Sequence, residues 1–477
     1  MIGAGIIGTG GAIAESGYLI SVCTLIGIAG LTKKSLDMLI ELEEKFETSG
    51  YEDLGEFAFG RRGKMAVIIS KFVYSLGCMV AYVVVLKNNM SSSLTDLLDL
   101  DSIHEPNFAI RFLKSDEYFA IFLSLAVILP LCLLRNLDKL AKFSIVSILS
   151  VLMICSIVLY EFIYNPNEMV RLDFTSWEYD IFTVRVGYVS SIGTFVFAFV
   201  SQHCSHMAYR SLRNKSLDKW KKVSSYSISI ALTLVLIVGS FVYFSFWRAT
   251  TSDMFGDYPN SKEIDIAQIF LSVTMLLSFP LPFFTCREMV IIFMMMQEAD
   301  GGIGGVGIDG REICDSDDEQ FDKSLLSHNS RDKANNQKSS NDSREGPLIK
   351  LPSKKGFTME KYLVPNDRNL SPDEEVANEG GGTNHVGFQL KTPYHILLTV
   401  TLCVIAISIA VAASSLGAVL DLVGCLSGTA IAFIIPAAIQ IKMGERVDVW
   451  VCLMLSVGLI IGLVGTAFSL KKAVEGG

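Results

Sequence analysis

Ten stretches of this chain stay apolar for about the length of a membrane crossing, and a glycine-rich apolar stub, 1–14, precedes them. Roughly 20 residues rising 1.5 Å each cross about 30 Å of hydrocarbon. The pattern predicts spans at 17–36, 65–86, 119–134, 143–160, 186–209, 223–247, 266–296, 394–420, 422–441 and 449–470. Residues 119–134, 223–247, 396–420 and 449–470 contain no Asp, Glu, Lys or Arg, and soluble core helices rarely stay uncharged for so long. In lipid every backbone polar group needs an internal partner, and these runs do not alternate apolar and polar positions as barrel strands do. The expected fold is all-α and polytopic, with the stub as an eleventh, incomplete segment.

Charge gives the spans an orientation. Arg135, Lys139 and Lys142 fall between the third and fourth spans, six Lys and Arg between Arg210 and Lys222, and Arg61, Arg62 and Lys64 before the second. The alternate connectors 165–179 and 249–261 hold only Arg171. The basic set is expected to be cytosolic, which puts the C-terminus outside or in a lumen. Asn89 then heads the one exterior glycosylation sequon, while those at Asn214, Asn341 and Asn369 fall inside. Arg287, Glu288, Lys33, Lys34, Asp37 and Lys71 are expected to snorkel towards the cytosolic face.

The organisation expected is spans one to eight over 1–296, a disordered cytosolic insertion at 297–392, spans nine to eleven over 393–470, and a short tail, 471–477. The insertion is rich in Gly, Ser, Asn, Asp and Lys and lacks the apolar surface to order itself. It reads as a solvated spacer or as a docking place for cytosolic regulators.

Composition narrows the function. The chain is 51% hydrophobic and 19% charged, against about 25% charged in soluble domains. A net charge of −9 argues against a nucleic-acid partner. Most of the 10 cysteines lie in or beside apolar runs without CxxC spacing, which reads as small buried hydrophobes rather than a metal site. No GxSxG, HExxH or P-loop occurs, so an enzyme is not expected, and no cofactor beyond a coupling ion is implied.

Three stretches carry candidate chemistry. The stub, with Gly3, Ala4, Gly5 and Gly8, suits a tight helix-packing face equally with an unwound segment whose main chain grips the carboxylate and ammonium of an amino acid. A second glycine-broken stretch, 193–206, passes from Phe197 and Phe199 to the polar Ser201, Gln202, His203 and His206. Phe197, Phe199, Ser201 and Gln202 are candidates for a pocket wall, and His203 and His206 either relay protons or bond to nearby backbone. The seventh full span holds Thr274 and Ser278 beside Pro280 and Pro282. Proline frees carbonyl oxygens there, to ligate a small cation or simply to form a hydroxyl-stabilised kink.

In this order the stretches resemble the amino acid/auxin permease family, particularly its sodium-coupled neutral amino acid transporters and vacuolar amino acid transporters. Gly3–Gly8 resembles the opening GxGIxGLPYA, and Tyr51-Glu52-Asp53-Leu54-Gly55-Glu56 with Ala58-Phe59-Gly60 resembles the first cytosolic loop. Phe197-Ala198-Phe199 resembles FAFxCH, and Phe279-Pro280 through Arg287-Glu288 resembles YPxxxxxTRE. Ser427-Gly428-Thr429 with Phe433-Ile434-Ile435-Pro436 and Lys442 resembles the segment xSATxxxFIxPxxxxxK. The resemblance implies a leucine-transporter-type fold of two inverted five-helix repeats plus one extra helix, with the first helix truncated. It implies a secondary active transporter of neutral or small polar amino acids, coupled to protons or sodium, in the plasma membrane or a vacuolar or lysosomal membrane. Substrate would meet Gly3, Ala4, Gly5, Gly8, Phe197, Phe199, Ser201 and Gln202, and the ion would meet Thr274 and Ser278. The other functional class is a non-transporting amino acid receptor that signals through 297–392.

Overall fold

A computed structural model of the protein describes residues 4–100, 108–134, 143–164, 181–259, 261–301, 363–365, 388–413, 415–444 and 447–475. The chain divides into two units. One is Met1–Phe293 with Tyr362–Gly477; of the other, Met294–Lys361, only the helical residues up to Gly301 are described. Most of the 297–392 insertion, the basic connector 135–142 and Gly3 therefore lie outside the described residues. A short antiparallel pair, β1 (Leu363–Pro365) and β2 (Phe388–Leu390), sets Leu363 opposite Leu390.

The described chain is otherwise helical: α1 (Ala4–Ser16), α2 (Tyr18–Phe46), α3 (Tyr51–Leu97), α4 (Asp116–Leu133) and α5 (Phe143–Tyr164). They are followed by α6 (Tyr188–Phe199), α7 (Ser205–Arg210), α8 (Leu217–Phe246), α9 (Lys262–Ser278) and α10 (Pro280–Gly301). The last are α11 (Thr392–Ala412), α12 (Leu416–Lys442) and α13 (Val449–Lys472), whose helix continues to Glu475. Among the described residues, nine helices are long and apolar enough to cross a membrane. The protein is an integral, multi-pass membrane protein. Its core helices are α3, the α9–α10 pair and α12, whereas α4, α5 and α13 turn most of their apolar surface outward, as lipid-facing helices do.

Segments five apart in the chain pack on one another: α1 on α6, α2 on α8, and α3 on α9. Two five-segment repeats would pair in this way. Local chemistry sets the boundaries. Gly17, with φ 102°, turns α1 into α2, and a side chain there would strike the Thr183 carbonyl. Gly60, at φ 62° and ψ −153°, splits α3 into a short first part and the long span that follows. Such a conformation is open to glycine and strained for other residues. Ser216, Ser261 and Ser415 cap α8, α9 and α12 by accepting from the N–H three residues on.

Several expectations need correction. The boundary expected at residue 421 lies at Ala413–Ser415, because Ser415 starts α12 and Asp421 is buried inside that helix. Asp421 is tolerated there because Thr194 donates to it (2.6 Å) and Lys472 lies at 3.3 Å. Lys71 does not snorkel: it is buried, in an ion pair with Glu52. Arg287 is also buried, donating to the Cys132 carbonyl (3.1 Å) and stacked over Phe284 and Phe283. Asn89 is buried within α3 and donates to the Val85 carbonyl (2.8 Å), so its sequon is shielded from glycosylation.

Candidate functional site at the break in the sixth segment

The second break does not fall at Gly193. Residues 193–199 are helical, and α6 ends where Val200 (φ −62°, ψ 120°) leaves helical geometry. A single 3-10 turn, Gln202–Cys204, then leads into α7. Gly193 serves a different purpose. A side chain on it would meet the Asp421 carbonyl at 2.1 Å, and one on Gly424 would meet the Gly193 carbonyl at 1.9 Å. These paired glycines let α6 and α12 touch backbone to backbone.

The described part of the stub is wound as well: α1 is helical from Ala4 onward and almost wholly buried. Its glycines make a packing face. A Cβ on Gly5 would lie 2.7 Å from Ala198 Cα, and one on Gly8 would lie 2.5 Å from Leu420 and 3.3 Å from Thr194. Near the other end of α1, Ser191 donates to Glu15 at 2.8 Å. The two helices therefore run antiparallel, with 15 beside 191, 8 beside 194 and 5 beside 198. That register brings the first turn of α1 next to the last turn of α6, where the chain breaks.

Two sets of main-chain groups meet at this point. The last carbonyls of α6 lack partners within their helix, and α1 is described from Ala4 onward. The Tyr74 hydroxyl of α3 donates to the carbonyls of Phe197 (3.3 Å) and Val200 (3.4 Å), and Val200 N–H donates to Val196. The carbonyls of Ala198 and Phe199 are left outside the helical ladder. The end of α6 carries a partial negative charge.

Around these ends the side chains are polar and buried. Phe197 lies against Tyr74 (ring centroids 5.5 Å apart), and His203 covers the same tyrosine at 5.1 Å. Phe199 is fully buried. Gln202, also fully buried, accepts from Ser201 N–H (3.0 Å) and donates to the Ser35 hydroxyl (3.3 Å). Ser201 Oγ, His203 Nδ1 and, on α3, Ser75 Oγ are buried without a hydrogen-bond partner among the described residues. Such groups are rare in native interiors and ask for a ligand or water.

The tenth segment closes the site from the side. Two π-helical turns, Gly424–Gly428 and Ala430–Ile434, precede Pro436 in α12. Proline offers no N–H to the preceding turn, so carbonyls there need other donors. Ser35 donates to Ala432 and Tyr51 to Ile431 (3.0 Å). Gln202, Ser35 and Ala432 thus form one chain of hydrogen bonds from the break in the sixth segment to the loosened turn of the tenth.

The ion candidates stand elsewhere. Thr274 is buried in α9 and bonds back to the Phe270 carbonyl (2.8 Å); Ser278 ends that helix, half-buried. Pro280 and Pro282 remove the N–H groups that would reach Leu276 and Ser278, so those carbonyls are free of helical donors. The principal packing of α9 is on α3 and α5. No group of His, Cys, Asp and Glu among the described residues could hold a metal.

Sequence reasoning missed Tyr74, Ser35 and the buried Glu43, and it did not foresee that Glu52 is buried or that His206 meets Glu43. One signal was present: Lys71 interrupts an apolar run, and acidic residues of 43–56 lie within reach of it.

Comparison with known proteins adds the family. A model of the family described as "Transmembrane amino acid transporter protein" matches residues 1–473. "Putative sodium-coupled neutral amino acid transporter 11" of Rattus norvegicus is 25% identical over 291 residues, which is 61% of this chain and 62% of the rat protein. "Sodium-coupled neutral amino acid transporter 4" of Homo sapiens is 24% identical over 362 residues, covering 62% of this chain and 65% of its own length. The chain thus matches under two thirds of the length of these relatives. A Na+-coupled sialic acid symporter in a substrate-bound, outward-open state aligns with 98% of this chain and 89% of its own, at 13% identity and a TM-score of 0.33, too distant to bear on the site.

Proposed function

The chain belongs to the transmembrane amino acid transporter protein family, and from that premise we propose that it is a secondary active transporter of neutral or small polar amino acids. One observation carries this reading: the antiparallel packing of α1 on α6 sets the start of one helix beside the broken end of the other. The substrate carboxylate takes the first-turn N–H groups of the stub, at Ala4 and Gly5 with Gly3 before them and Gly8 one turn on. The ammonium takes the carbonyls of Ala198 and Phe199. Phe197, Phe199, Ser201 and Gln202 shape the pocket for the side chain, and the unpartnered Ser201 hydroxyl favours small polar substrates.

Transport follows from alternate opening of the two ends around this point. Thr274, Ser278 and the proline-freed carbonyls form the site for the coupling cation, sodium or proton, with His203 as a relay. The basic end of the bundle, with Arg61, Arg62 and Arg210, faces the cytosol.

Reconstitution tests the reading. The full chain in proteoliposomes, given labelled L-alanine, L-serine and L-glutamine under an inward sodium or proton gradient, is expected to accumulate at least one of them under one gradient. No accumulation under either gradient by a folded preparation overturns it. Saturable binding without flux favours a receptor instead.

A further inference from the structure

At the basic end of the bundle, α7 is held by side chains rather than by length. It has six residues, too few for a stable helix of its own. Its anchors to α2 are polar. His206 Nδ1 meets Glu43 Oε2, Tyr209 donates to Glu44, and Arg210 lies 3.4 Å from Glu43 Oε1. Arg210 also donates to the Ser49 carbonyl. Glu43 and His206 are both buried, although each is ionisable.

Several ionisable groups surround this corner. Glu43 and Glu44 come from α2, Glu52 and Lys71 from α3, Arg210 from α7, and Glu288 and Arg287 from α10. Tyr51 also faces the His206 ring, at 6.0 Å. Of these carboxylates Glu43 and Glu52 are buried, and Glu43 is the one bonded to His206. Because Nδ1 faces a carboxylate, it carries the hydrogen of the neutral ring. The other nitrogen, Nε2, is buried with no hydrogen-bond partner among the described residues. A proton added there places a second cation on the buried Glu43, beside Arg210.

We propose that His206, paired with Glu43, is a proton-binding site whose occupancy fastens α7 to α2 and whose release lets the basic end of the sixth segment open. A proton from water adds to Nε2 and gives an imidazolium. The hydrogen bond to Glu43 then becomes charge-assisted, roughly doubling in strength. Loss of that proton removes one of the two cations beside the buried Glu43, which draws in water and loosens α7. Because α7 continues from the break at Val200–Ser201, its release uncovers the candidate substrate site. The coupling role rests on the transporter reading above, whereas the fastening of α7 does not.

Cys204 reports the movement. It is half-buried, sits between the break and α7, and contacts the Ser201 carbonyl at 3.4 Å. The rate of its modification by N-ethylmaleimide, read by mass spectrometry of that peptide in the full chain, is measured from about pH 5 to about pH 8, where an imidazole titrates. Dividing the wild-type rate by that of His206→Gln at each pH cancels the titration of the thiol. The ratio is expected to be near unity at the alkaline end and several-fold lower at the acid end. Glu43→Gln, which keeps the histidine and removes its counter-charge, is expected to react as fast as His206→Gln at every pH. A ratio that stays flat in both variants overturns the proposal. Uptake is measured on the same preparations, so an absence of transport alongside a pH-dependent ratio overturns the transporter reading and leaves the proton site standing.

Discussion

Glycine has distinct functions at Gly60, Gly5 and Gly424. Gly60 answers a backbone demand, since its φ of 62° has open space around it and only conformation restricts a replacement. Gly60→Ala is expected to cost about 1–3 kcal/mol, read as a lower Tm in detergent with the fold retained. Gly5 answers a packing demand: Ala198 Cα leaves no room for a side chain. Gly5→Leu must separate α1 from α6 and is expected to abolish amino acid uptake, while Gly5→Ala reduces it. Uptake by Gly5→Leu at the wild-type rate would remove the stub from the site. The density of glycine in the stub was legible, but its purpose was not. Small residues serve close approach and unwinding alike, and only the position of α6 decides between them. The same holds for Lys71, whose burial depends on Glu52 in the short first part of α3, ahead of Gly60.

Among elements, glycine makes the breaks at Gly17 and Gly60, whereas Pro436 follows the loosened turns of α12. The resemblance of 427–436 to a family segment was visible in the sequence, but the route from Pro436 through Ala432 and Ser35 to Gln202 joins residues from three segments and could not be read from one. Ser35→Ala leaves the Ala432 carbonyl and the Gln202 amide without this donor and acceptor. The expected cost is about 1–3 kcal/mol, with weaker substrate binding than in Ser35→Thr. At the opposite end, the connector after α8 packs on α1: a side chain on Gly11 would strike the Thr251 carbonyl at 2.4 Å. In that connector burial raises the Asp253 carboxyl above the ordinary 3.8, against hydrogen bonds from Asn88 and Asn89. The folded protein therefore holds this proton to higher pH than the unfolded chain does. Its stability falls as pH rises through the raised value and recovers below about 3.8. Asp253→Asn is expected to raise Tm at neutral pH, the gain over wild type disappearing as the pH approaches 4.

At the scale of the whole molecule, the spans were largely legible because membrane thickness imposes a length that sequence records directly. Contacts between segments were not, because helices in lipid associate through small residues and isolated polar pairs, which leave little periodic trace. Glu15, Asp421 and Lys472 illustrate this: they come from the first, tenth and eleventh segments and meet at one corner, with Lys472 at 2.7 Å from Glu15. The central claim is that an amino acid sits between the start of α1 and the break after Phe199. A cryo-EM structure of the full chain with a bound L-amino acid, chosen from those it accumulates, tests this most directly. The account predicts density for the carboxylate at the N–H groups of Ala4 and Gly5 and for the ammonium at the carbonyls of Ala198 and Phe199. An amino acid bound at any other place in the bundle would contradict it.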